Sequence, residues 1–280
     1  MKIVCFALLA TSYLSAIDSF STYQRASAYY DHSWQQTSVA LDALDRIAFR
    51  GDEKLLEIGC RGGRMSANLA GRIAHGTVVG AEMRGEGAIA FAQKNHSEQL
   101  YPNLSFVAQD FRTSTEENSY DWIVSFSSLH WYKNQSEILD RVFAALKPSG
   151  RIFFTIPCIP LPEVQSAVDS VRENEKWASY FTDYVHPRHK FTVEQYQGFL
   201  EQAGFQDPKV AIERHSYFFA NKRDLIDWLS AFTPLLDNIP EEMHQDFLTD
   251  FANAYTVANP ITSTGHIPFH QDELFIQAQK

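Results

Sequence analysis

Leu56-Glu57-Ile58-Gly59-Cys60-Arg61-Gly62-Gly63-Arg64 is the stretch on which the fold turns. It closes the apolar run Lys54–Ile58 and opens onto residues 63–74, whose pattern predicts a helix. A strand, a glycine-rich turn and a helix start make a nucleotide site in outline. Glycine lets the backbone approach a ligand closely, and the free amides of a helix N-terminus point at whatever is bound. A dinucleotide site wants Gly-x-Gly-x-x-Gly, whereas here Arg61 and Arg64 stand at the second and third glycine positions. A nicotinamide-dependent reading therefore loses ground.

Working outward, apolar residues Val39, Leu41, Leu44, Ile47 and Ala48 recur at helical spacing within 36–49. Strands are predicted at 77–81, 104–108, 121–126 and 151–156, separated by helices at 87–94 and 138–146. Strands that are nearly continuous in apolar residues and alternate with helices mean a parallel sheet covered on both faces. Beyond Pro160 the pattern changes. Residues 163–190 read as helical and aromatic-rich, with Trp177, Tyr180, Phe181 and Tyr184; 193–203 as a helix stopped by Gly204; 210–219 as a strand; 223–258 as helical; and 273–278 as a last strand. The expected fold is α/β: a Rossmann-like, seven-stranded, mostly parallel sheet with helices on both faces and a C-terminal helical cap. The expected divisions are 1–20, a signal peptide or N-terminal extension; 21–160, a cofactor-binding core; and 161–280, a substrate cap plus the last two strands.

Ligands of such sheets bind at the carboxyl ends of the strands. Four places then matter: the turn (Glu57, Gly59, Cys60, Arg61, Gly63); Glu82 with Met83 after the second strand; Asp110 with Phe111 after the third; and Ser125 to Trp131 at the fourth. A carboxylate at Glu82 can accept both hydroxyls of a ribose. Asp110 can accept an adenine amino group, with Phe111 flanking the ring. Each alone reads equally well as a solvated carboxylate at a strand end. Their succession at consecutive strand ends favours an adenosyl ligand.

The formal net charge of −10 argues against a nucleic-acid substrate, because binding phosphate requires Lys and Arg to displace counterions. Lys222-Arg223 and the basic run 186–190 are short and read as solvated surface. The three cysteines, Cys5, Cys60 and Cys158, fall in no metal-ligand spacing, so no metal site is expected. Residues 1–16 have the grammar of a secretory signal, with an apolar run too short for an ordinary membrane span. A terminal helix of the fold reads equally well there, and stable membrane insertion is not expected.

Taken in order, Leu-Glu-Ile-Gly-Cys-x-Gly-Gly (56–63), Val-Val-Gly-Ala-Glu (78–82), Gln-Asp-Phe (109–111), Tyr-Asp-Trp-Ile-Val-Ser (120–125) and Leu-Lys-Pro-Ser-Gly (146–150) resemble the motifs of class I S-adenosylmethionine-dependent methyltransferases. Ser127-Ser-Leu-His-Trp-Tyr-Lys-Asn-Gln135 is similar to the stretch after the fourth strand of the juvenile hormone acid and trans-aconitate methyltransferases. The resemblance implies S-adenosyl-L-methionine as cofactor and methylation of a small-molecule carboxylate, an organic acid, to its ester. It further implies that Trp131, with Gln36 or Gln35 of the N-terminal helix, holds the substrate carboxylate. A cytosolic cofactor favours a cytoplasmic enzyme, which a cleaved signal at 1–16 would contradict.

One position departs from the pattern: the family usually has glycine where this chain has Arg61. That side chain swings away, or meets the cofactor's methionine carboxylate through a charge-assisted contact, or spoils the site. A carboxylate acceptor is ionised at neutral pH and needs no base. A hydroxyl or amine acceptor would need one, and His130 is then the candidate, against a purely structural role. Two further readings remain beside the O-methyltransferase: a carbon- or nitrogen-methylating enzyme, and a non-catalytic binding protein on the same scaffold. Ser125-Phe-Ser-Ser in place of Asn/Asp-Pro-Pro-aromatic opposes an amino-methylating nucleic-acid enzyme, and the lack of a cysteine there opposes a cytosine-C5 enzyme.

Overall fold

The computed structural model describes residues 23–83, 85–158 and 162–280; the signal-like stretch at 1–16 lies outside them. Two helices come first, α1 (Tyr23–His32) and α2 (Trp34–Asp45). Then follow β1 (Lys54–Ile58), α3 (Arg64–Arg72), β2 (Thr77–Glu82), α4 (Glu86–Asn95), β3 (Leu104–Ala108), β4 (Tyr120–Phe126), α5 (Gln135–Ala145) and β5 (Leu146–Pro157). The chain continues through α6 (Pro162–Glu173), α7 (Val193–Gln202), β6 (Gln206–Phe219), α8 (Lys222–Phe232), α9 (His244–Ala258) and β7 (Ile267–Gln279).

All seven strands form one sheet in the order β3-β2-β1-β4-β5-β7-β6. The pairs from β3 to β5 are parallel, and β7 runs antiparallel to β5, Arg151 opposite Gln279 and Pro157 opposite Glu273. Leu55, Leu56, Glu57 and Ile58 are all buried, so successive side chains on opposite faces of β1 are both covered. The chain order reverses between β1 and β4, which places the crevice beyond those two strands.

Two compact units divide the described chain: residues 162–187 with 214–272, and the rest. The larger unit has its core on β1, β4 and β5 under α5 and α7, with Ile123, Leu139, Phe154 and Leu200 fully buried. The smaller unit is an aromatic cluster. Trp177, Trp228, Phe247, Phe251 and Phe269 are buried there, and the Trp177 indole Nε1–H donates to Asp250 at 3.0 Å. Trp177 and Phe181 thus serve packing, while Tyr180 and Tyr184 stay half-buried at its margin.

Several boundaries differ from the sequence reading. The helix expected over 163–190 ends at Glu173, and only a 3-10 turn, Ala178–Phe181, follows. The helical span expected over 223–258 breaks at Pro234, which has no N–H to continue a helix. β5 begins at Leu146 rather than 151 because Lys147-Pro-Ser-Gly150 stays in the sheet, with Ser149 at φ +65° and a register shift between Tyr120 and Trp122. The edge strand β6 and the strand β7 are longer than their apolar runs suggest. No helix among the described residues is long and apolar enough to cross a membrane.

Candidate functional site

The β1–α3 turn is built tightly. Gly59 and Cys60 both donate their N–H to the Ala81 carbonyl on β2, at 2.7 and 3.1 Å. Gly63, at φ +79°, begins α3 with the Phe106 ring so close that a Cβ would lie 2.6 Å from it. Gly59, at φ +82°, is covered by Ser128: a Cβ there would sit 1.9 Å from Ser128 Oγ. Glycine is required at both positions by conformation and by space.

Glu82 is 1% exposed, and its carboxylate accepts the Arg61 backbone N–H at 2.9 Å. The end of β2 thereby holds the turn after β1. Glu57 is buried beneath it, and the Ser66 hydroxyl donates to its carboxylate. Burial outweighs that bond and, with Glu82 nearby, pushes the Glu57 carboxyl up to about 7. Burial also pushes the Cys60 thiol up, so it stays protonated and serves packing. Because folded Glu57 holds its proton above the ordinary glutamate value of 4.5, its contribution to stability is complete below that pH and is lost as pH rises through 7. Urea unfolding at pH 5 and 8 is expected to show wild type losing roughly 3 kcal/mol more than Glu57→Gln over that interval. Equal losses would place the Glu57 proton elsewhere.

Arg61 sits at φ +48°, a conformation that costs a residue with a Cβ about 1–3 kcal/mol. Its guanidinium stacks on Tyr29 at 4.0 Å from the ring centroid, and Nη2 donates to the Ser127 carbonyl at 3.2 Å. Ser127, after β4, is itself left-handed at φ +47°. Two strained residues at adjacent strand ends therefore meet, as is common where a ligand is held. The cleft beside them is lined by Tyr29, Tyr30, Ser33, Gln36 and Thr37 of the N-terminal helices and by Glu57, Gly59, Cys60, Arg61 and Gly62. Three buried polar atoms here have no hydrogen-bond partner: Arg61 Nε, Gln36 Oε1 and Ser127 Oγ. A buried polar atom without a partner calls for an explanation, and a bound ligand is one that suits a cleft at the strand ends.

The structure thus gathers Glu57, Gly59, Cys60, Arg61 and Gln36 around one cleft, joins Glu82 to it through the Arg61 N–H and sets Gly63 at the start of α3, while Gln35 is buried away from the cleft. Asp110 caps the 3-10 turn Phe111–Thr113 and pairs with the Arg112 guanidinium, Nε to carboxylate at 3.0 Å. Phe111 is buried in the sheet core with Ile58, Ala81 and Ile123. Met83 packs against the same core. The Ser125 hydroxyl donates to the Ile58 carbonyl at 2.8 Å and braces β4 on β1. Trp131 and His130 lie in the 3-10 turn Leu129–Trp131 that leaves the end of β4, both buried, and the Trp131 N–H donates to the Ser128 carbonyl at 3.2 Å. Trp131 is not among the residues lining the cleft that holds Gln36.

Sequence reasoning missed the neighbours. The basic run 186–190, expected on a solvated surface, instead brings the Arg188 guanidinium over the Trp131 ring at 5.2 Å. The His189 N–H donates to the His130 carbonyl at 2.8 Å, and Arg188 and His189 are both half-buried. A Pro-x-basic break between two helices was the one available signal. Tyr29 and Ser128 had none, since stacking on Arg61 and closure over Gly59 are tertiary facts.

A mostly parallel sheet with its chain reversal at β1/β4, a glycine turn held by an acid at the end of β2 and unpartnered polar atoms at the cleft beside them define an α/β protein with a ligand cleft at the carboxyl ends of its strands. Comparison with known proteins names the group: residues 30–210 match the family model described as a methyltransferase domain, and the chain belongs to that family. It is 25% identical over 244 residues to the juvenile hormone acid O-methyltransferase of Drosophila melanogaster, covering 81% of each chain. It is 24% identical over 258 residues to the trans-aconitate 2-methyltransferase of Delftia acidovorans, covering 88% of this chain and 94% of that one. Among solved structures, YcgJ of Bacillus subtilis superposes with a TM-score of 0.59 at 15% identity over 89% of this chain and 99% of its own. Phosphoethanolamine N-methyltransferase 2 of Haemonchus contortus, in complex with S-adenosyl-L-methionine, gives 0.58 at 17% over 88% and 52%. The protein is a methyltransferase by family, and the buried donors and acceptors of the cleft suit a zwitterionic nucleoside such as S-adenosyl-L-methionine, the cofactor that the sequence resemblance implies.

Proposed function

We propose that this enzyme methylates the carboxylate of a small organic acid, giving a methyl ester. The observation that carries the reading is the Arg188 guanidinium 5.2 Å from the ring of buried Trp131, in the segment leaving β4. A fixed cation beside an indole suits an anionic acceptor. The cofactor supplies a methyl group on a sulfonium, already activated for displacement. A carboxylate arrives ionised, so the protein has only to strip it of water and align it. Arg188 offsets the lost hydration, and the Trp131 indole N–H orients one oxygen without protonating it. His130 acts through its backbone, whose carbonyl pins the basic segment through His189. Two relatives are named for acids, which supports the choice. We assign acceptor recognition also to residues 161–280 and place the reaction in the cytoplasm, with the cofactor.

The test is a panel of small carboxylic acids incubated with methyl-labelled cofactor, with esters detected as labelled methanol after mild base. Label in an alkali-stable product from alcohols or amines, and none from acids, would overturn the reading. Trp131→Phe is expected to lower kcat/KM on the identified acid about 10–100-fold, the loss of one hydrogen bond to a charged group. An unchanged kcat/KM would remove Trp131 from that role.

A further inference from the structure

We propose that Arg61 and Gln36 together recognise the amino-acid end of the cofactor, the guanidinium taking its carboxylate and the Gln36 side-chain oxygen its ammonium. Both residues line one cleft beside Gly59 and Gly62. Each leaves one buried polar atom without a partner, and the two are opposite in kind: Arg61 Nε is a donor and Gln36 Oε1 an acceptor. A ligand bearing only a carboxylate would satisfy one and strand the other. An amino-acid zwitterion satisfies both, because its anion and cation sit on the same carbon.

Three features fix Arg61 for this task. Its backbone is left-handed at a position where glycine would be unstrained, so an arginine there is held by what its side chain does. Its guanidinium is positioned by the Tyr29 ring and the Ser127 carbonyl, and Nε is left as a buried donor without a partner. Its backbone N–H is bound to Glu82, the carboxylate suited to the ribose, so the residue offered to the amino-acid end is tied directly to the residue offered to the ribose. An arginine that merely swung aside would end in solvent, whereas this side chain is folded into the cleft and bonded there. Gln36 is thereby assigned to the cofactor, while Trp131 remains with the acceptor.

The experiment is calorimetric titration of the full chain and of Arg61→Gly with S-adenosylhomocysteine and with its decarboxylated analogue, S-adenosyl-3-thiopropylamine. Wild type is expected to prefer S-adenosylhomocysteine about 10–100-fold, the scale of one charge-assisted hydrogen bond. Arg61→Gly, freed of left-handed strain, is expected to melt no lower than wild type, to lose that preference and to bind the decarboxylated ligand as wild type does. In parallel, Gln36→Ala is expected to lose affinity for S-adenosylhomocysteine but not for the analogue that keeps the carboxylate and lacks the amine. Arg61→Gly binding S-adenosylhomocysteine as tightly as wild type or tighter would overturn the proposal and make Arg61 an obstruction. Equal weakening toward both ligands would overturn it in favour of a loop effect. Wild type binding neither ligand would overturn it as well. Binding regained in Arg61→Gly would then leave the cofactor site intact, and none regained would remove that site too.

Discussion

Glu82→Ala is expected to weaken S-adenosylhomocysteine binding about 100–1000-fold, the largest loss of affinity among single substitutions in this protein. Two consequences compound. The variant loses an acceptor placed for two ribose hydroxyls, each bond to a charged group being worth about 1.5–3 kcal/mol. It also releases the Arg61 N–H, held at 2.9 Å, so the turn loses its tie to β2 on the ligand side. The remaining ties, Gly59 and Cys60 to the Ala81 carbonyl, still fix the turn's first half, so the protein folds. Calorimetry with a melting curve on the same sample separates the effects. A loss under tenfold in a well-folded variant would mean that the ribose is read elsewhere.

Gly59→Ala is the second large effect, and it falls on stability. The new methyl carbon would lie 1.9 Å from Ser128 Oγ and 2.4 Å from Ser128 Cβ, on a backbone at φ +82°. Overpacking of this kind costs about 1–3 kcal/mol, and the left-handed conformation adds about 1–2 kcal/mol. Ser128 cannot yield alone, because its carbonyl carries the first bond of the turn that presents His130 and Trp131. The variant is expected to unfold at lower urea by about 2–5 kcal/mol and to lose acceptor turnover together with cofactor affinity. A stability within 1 kcal/mol of wild type would show that Ser128 is free to move.

Most of the fold is legible in the sequence because it rests on local signals. β1 and β3 fall where their apolar runs are: β1 is buried on both faces and leaves no other pattern, while the edge strand β3, with Ser105 and Val107 exposed, is marked by its short apolar run alone. The seventh strand's direction and its insertion between β5 and β6 are not visible, because antiparallel pairing with residues more than a hundred positions away has no local mark. The site divides in the same way. Glu82 and the glycines stand out because strand ends and turns announce themselves. Asp110, expected to meet adenine, is engaged by Arg112, and Phe111, expected beside the ring, is in the core; both depend on side-chain directions that a strand end does not dictate. The basic run 186–190 looked solvated only because its partner, Trp131, lies more than fifty residues earlier.

The place of β7 bears on how the chain reaches this state. β5 carries Ile152, Phe153, Phe154 and Ile156, all fully or almost fully buried, and is bordered by β4 on one side and by residues 273–279 on the other. During synthesis those residues emerge more than a hundred residues after β5 itself, since Pro157 pairs with Glu273. Until they arrive, β5 is an apolar strand with an open hydrogen-bonding edge, the form most apt to pair with another nascent chain. A ribosome that stalls short of residue 273 therefore leaves a sticky product whose glycine turn is already complete, and the burden of keeping this enzyme soluble falls on the interval before β7 covers the edge of β5.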